Sequence, residues 1–82
     1  MMTKTEVNQL AYEIVGCAIE VHKILGPGLL ESIYEEALFY ELKLRGYLVH
    51  RQMPVPVVYK NHELKTPLKL DLIVENAVIV EI

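Results

Sequence analysis

The apolar residues repeat with one period before Gly46 and another after it, which limits the chain to helices followed by strands. Val7, Leu10, Ala11, Ile14, Val15, Ala18, Val21, His22 and Leu25 fall three and four apart, along one helical face. Thr3 and Glu6 have capping-box spacing, so this helix is expected to open at Thr3 or Thr5. It must stop at Gly26-Pro27-Gly28, because a proline disfavours helical backbone at the residue before it. A second helix is predicted from near Leu29 through Leu30, Ile33, Tyr34, Ala37 and Leu38 to Arg45, with Gly46 just past its end. The short link makes the helices neighbours, and Gly16 and Ala18 are expected to let another backbone approach the first one closely.

Beyond Gly46 the pattern is that of strands. The segment YLVHRQMPVPVVYK carries Pro54 and Pro56, which marks an edge or irregular strand, since proline has no N–H for a ladder. Lys60-Asn61-His62 is turn-like, and LKLDLIV and AVIVEI form two strands on either side of Glu75-Asn76. The predicted fold is α+β, with two N-terminal helices packed on a three-stranded, mainly antiparallel sheet. At 82 residues the chain is one domain with a thin core, and its 52% hydrophobic content is well above that of disordered chains. It stops within its last strand, so residues 1–82 are expected to be the N-terminal part of a longer domain.

Composition removes several function classes. Apolar runs reach only four residues, as at 77–80, which excludes a membrane-spanning helix and a secretory signal. A lone cysteine, Cys17, fits a reducing cytoplasm. The net charge is −3, with seven acids against four bases up to Gly46 and four of each after it. No basic block marks a nucleic-acid footprint, which argues against a sequence-specific DNA-binding module. An enzyme that reaches phosphate through a metal ion remains open.

The last two strands set two acids together. With residue 76 at the turn centre, the cross-strand pairs are 74/78, 73/79, 72/80 and 71/81. Apolar residues then meet apolar residues, and Asp71 lies opposite Glu81; a one-residue slip sets Leu70 against Glu81 instead. Opposed side chains lie about 5 Å apart at Cβ, where like charges repel. A divalent cation resolves that conflict, and hard oxygen ligands suit Mg²⁺ or Mn²⁺. The alternative is a solvated edge on which the acids pair with Lys69 or Arg51.

Other polar residues have structural readings beside functional ones. His22, just before the GPG link, is expected to sit in the core or to bond carbonyls at the helix end, with an accessory site role as the alternative. Tyr34 is expected to pack and to bond through its hydroxyl, with substrate contact as the alternative. Cys17 is expected to be a small buried hydrophobe, His62 to be exposed, and Glu35-Glu36 to form a solvated helix face.

The stretch EVHKILGPGLLESIYEEALFYEL, with GLLESIY at 28–34, resembles the GxxExxY protein family of the PD-(D/E)xK nuclease-like superfamily. MPVPVVYK and LDLIVENAVIVEI resemble it too, in the same order and at similar distances. The resemblance implies a restriction-endonuclease-like core whose C-terminal part lies beyond Ile82. It implies a metal-dependent nuclease acting on DNA or RNA, with Asp71 and Glu81 as Mg²⁺ or Mn²⁺ ligands. Glu31 matches the helix acid that completes such a site, and the motif lysine would be the residue after Ile82. A non-catalytic structural or protein-interaction module that keeps the fold is the alternative. An uncovered, β-branched last strand exposes unpaired N–H and C=O groups, so a homo-oligomer is expected.

Overall fold

The computed structural model describes all of residues 1–82. The chain forms α1 (Lys4–Leu25), α2 (Glu31–Leu44), β1 (Val49–Val55), β2 (Val58–Tyr59), β3 (His62–Glu63), β4 (Leu68–Val74) and β5 (Val78–Val80). Two helices lie on one face of a three-stranded antiparallel sheet of order β1-β4-β5, as the two hydrophobic periods require. Strands β2 and β3 form a separate hairpin.

Capping residues set the helix ends. At the start of α1, Glu6 N–H donates to Thr3 Oγ1 at 3.1 Å, and Thr3 N–H donates to Glu6 Oε1 at 2.9 Å. This reciprocal box satisfies two amides that the first turn would otherwise leave unpaired. At the other end Gly26 takes a positive φ of 76° and donates its N–H to His22 O at 2.9 Å. No side chain caps α2 at its start. The Tyr34 hydroxyl instead holds the segment before the helix, accepting Leu29 N–H at 3.1 Å and donating to Gly26 O at 2.5 Å. The tyrosine thereby ties both sides of the GPG link, as its packing role requires.

The core lies between the helices and the sheet. Leu10, Ile14, Cys17 and Val21 are the buried stripe of α1; Leu38 and Leu42 face them from α2, and Val49, Leu72 and Val74 from the sheet. Several α1 residues on the predicted apolar face are exposed, among them Val15, His22 and Leu25. A single sheet layer is too narrow to cover a stripe that wide. Gly16 is exposed and no backbone approaches it, contrary to the expected close contact.

The sheet departs from expectation in two respects, the first being that β5 ends at Val80 and leaves Glu81 outside the strand. Second, instead of a single irregular strand before Lys60, Pro56 and Val57 separate β1 from a short hairpin. Lys60 and Asn61 both take positive φ values, 50° and 62°, and close it tightly. β1 is the edge strand that Pro54 demands, and β4 is central. Helices cover the sheet face bearing Val49, Leu72 and Val74, while the face bearing Asp71, Ile73 and Ile79 carries no helix.

Candidate active site

The β4–β5 hairpin has the predicted register: Val74 pairs with Val78, Ile73 with Ile79 and Leu72 with Val80. Glu75 and Asn76 lie in the left-handed region, with φ of 53° and 52°, and Ala77 N–H donates to Val74 O at 3.0 Å. The pairing ends at Leu72 and Val80, and Glu81 lies one residue past the end of β5. Asp71 is half-buried in β4, and its Oδ2 accepts Ile82 N–H at 2.8 Å. That bond holds the carboxylate toward the segment carrying Glu81, which is exposed. Asp71 forms an ion pair with neither Lys69 nor Arg51; the Arg51 guanidinium pairs with Glu35 and Glu36 instead.

Glu31 is the first residue of α2 and is exposed. No group of three or more His, Cys, Asp or Glu side chains comes together to hold a metal ion, so Glu31 is not gathered with Asp71 and Glu81. Asp71 and Glu81 are nonetheless the donor type a hard cation takes, since Mg²⁺ commonly binds one or two carboxylates and fills its shell with water and phosphate. His22 is exposed and stacks on Tyr34, with ring centroids 6.1 Å apart and planes inclined by 18°. Both rings, with Ala18, Val21, Leu38 and Ile82, line a cavity of about 180 Å³ at the end of the chain.

The polar centre that the sequence did not single out is Glu35. It is 7% exposed, the one charged side chain in the interior, and not the solvated residue expected beside Glu36. Arg51 Nε donates to its Oε2 at 2.9 Å, and Gln52 Nε2 donates to Oε1 at 2.9 Å and Oε2 at 3.2 Å. A buried carboxylate needs such partners, because an unpaired one would neutralise or destabilise the fold. Gln52 itself has a φ of 53° in the middle of β1. The spacing gave one signal: residues 35, 38 and 42 form the buried stripe of α2.

The two helices on a three-stranded antiparallel sheet are consistent with a PD-(D/E)XK-like fold, and sequence comparison agrees. A family model of the PD-(D/E)XK nuclease superfamily matches residues 8–82, and the chain belongs to that superfamily. No curated protein and no solved structure matches it.

Proposed function

We propose that this domain hydrolyses phosphodiester bonds in DNA or RNA with Mg²⁺ or Mn²⁺, using Asp71 and Glu81 as ligands. The observation that supports the reading is the Asp71–Ile82 bond, which ties the Asp71 carboxylate to the segment just beyond β5 that carries Glu81. Membership of the nuclease superfamily supports it. The cation, when bound, would polarise a phosphoryl oxygen and lower the pKa of a bound water. Asp71 is oriented by the amide it accepts, which leaves Oδ1 without a protein partner. Glu81 has no protein hydrogen-bond partner and is free to turn toward the same ligand. Glu31 does not gather with these two acids, so the proposed ligand set is Asp71 and Glu81 alone.

Mn²⁺ titration by calorimetry tests the ligand assignment. Wild type should bind with roughly millimolar affinity, as few carboxylates in an open site bind weakly, and Asp71→Ala should abolish the heat. Equal binding by both proteins would overturn the assignment. Hydrolysis is tested with end-labelled DNA and RNA in Mg²⁺, where Asp71→Ala must remove any cleavage found.

The second reading is an interaction module that assembles with its own copies, favoured by the helix-free sheet face on which Ile79 is 54% exposed. The setting proposed for either is the cytoplasm, in keeping with a single free cysteine. No helix is long and apolar enough to cross a membrane.

A further inference from the structure

We propose that Glu35 is a positioning residue that keeps Asp71 accessible by drawing Gln52 away from it. The inference rests on the metal-site reading above and adds residues that reading does not use. β1 and β4 pair in continuous register, Arg51 with Leu72 and Met53 with Leu70, so Gln52 is the residue level with Asp71. That one position is missing from the run of paired residues between β1 and β4. In a regular strand pair, residues that lie level share a face, with Cβ atoms about 5 Å apart. Gln52 would then stand beside Asp71 with two amide hydrogens to donate, and a carboxylate is the natural acceptor.

Gln52 does otherwise. Its backbone is in the left-handed region, φ 53°, which is strained for a residue with a side chain. Such a conformation persists only where its surroundings fix it. Here Gln52 Nε2 donates to both oxygens of Glu35, on the helix that covers the opposite face. Glu35 is nearly inaccessible and is held in turn by Arg51 Nε. The charged acceptor thus offsets the strain and removes a competing donor from the open side of Asp71.

The geometry sets a cycle of variants. In Glu35→Ala, Gln52 should relax into the strand and bond Asp71, weakening Mn²⁺ binding about tenfold, the worth of about 1.4 kcal/mol. Adding Gln52→Gly to Glu35→Ala removes the competing amide and should restore wild-type affinity. A merely structural glutamate would not be rescued this way. Unchanged Mn²⁺ affinity in Glu35→Ala overturns the proposal, and so does a double variant that stays weak. Should Glu35→Ala not fold, Glu35→Leu keeps most of the volume without an acceptor, and the same weakening and rescue must hold there. NMR separates this inference from the metal reading. Side-chain amide contacts of Gln52 to α2 in wild type must shift to Asp71 in Glu35→Ala without any metal. If wild type binds no Mn²⁺ but that shift occurs, the metal reading falls and the Glu35–Gln52 coupling stands; if the shift is absent, the coupling falls.

Discussion

At the scale of single residues, the most perturbed proton is on Tyr47, whose hydroxyl donates to Glu13 across the gap between α1 and the start of the sheet. Glu13 is held below the ordinary carboxylate range, chiefly by that donor and then by Gln9. The Tyr47 phenol is pushed up to about 12, again chiefly by the bond. A raised phenol stabilises the fold fully below its ordinary value near 10, and loses that contribution as pH rises through about 12. A lowered carboxylate stabilises above about 4.5 and loses its part as pH falls through its depressed value. The link is therefore complete between those limits. Alkaline absorbance titration should show one of the five tyrosines ionising at about 12, and Tyr47→Phe should delete that step. A retained step would refute the pairing. Glu13 and Glu35 also show what spacing cannot reveal. Arg51 and Gln52 lie 16 and 17 residues beyond Glu35, and Tyr47 lies 34 beyond Glu13. An acid on a helix looks solvated until the chain folds its partner onto it.

At the scale of elements, the sequence was most legible where a rule is local. The Thr3–Glu6 box, the stop at Gly26 and the pairing of residues 72–74 with 78–80 all depend on residues close in the chain. Misreadings came where tertiary geometry intervened, as at the wide α1 face and the unapproached Gly16. The register of residues 72–74 against 78–80 was legible because alternation has a period of two; Gln52 was not, because its φ of 53° breaks that alternation. The helix junction offers a clean test. Tyr34→Phe removes two hydrogen bonds that span the GPG link, each worth about 1 kcal/mol net. Urea unfolding should show a loss of about 2 kcal/mol with an unchanged m-value, and Mn²⁺ affinity should hold if Tyr34 makes no ligand contact. A loss confined to Mn²⁺ binding would reverse that assignment.

At the scale of the whole molecule, the chain is a plate of 45 × 34 × 16 Å. Its Cα radius of gyration is 14.6 Å, against about 12 Å for a compact domain of this length. Only ten residues are buried, because one helical layer covers one side of the sheet and nothing of the chain covers the other. Ile73 and Ile79 lie on that bare face, and β5 leaves one edge unpaired. Self-association would cover such a surface, and sedimentation at low micromolar concentration should find a species heavier than 9.4 kDa. A single species at the monomer mass would dismiss it.

The tyrosine clamp on the GPG link also bears on the order of events in folding. Tyr34 reaches Gly26 across eight residues, whereas β1 must find β4 across turns and a second hairpin. Short loops close early and cheaply, so the helix pair is the natural nucleus. The cost of Tyr34→Phe should therefore fall on the refolding arm of a chevron plot, with the unfolding arm nearly unmoved. The reverse pattern would place the nucleus in the sheet.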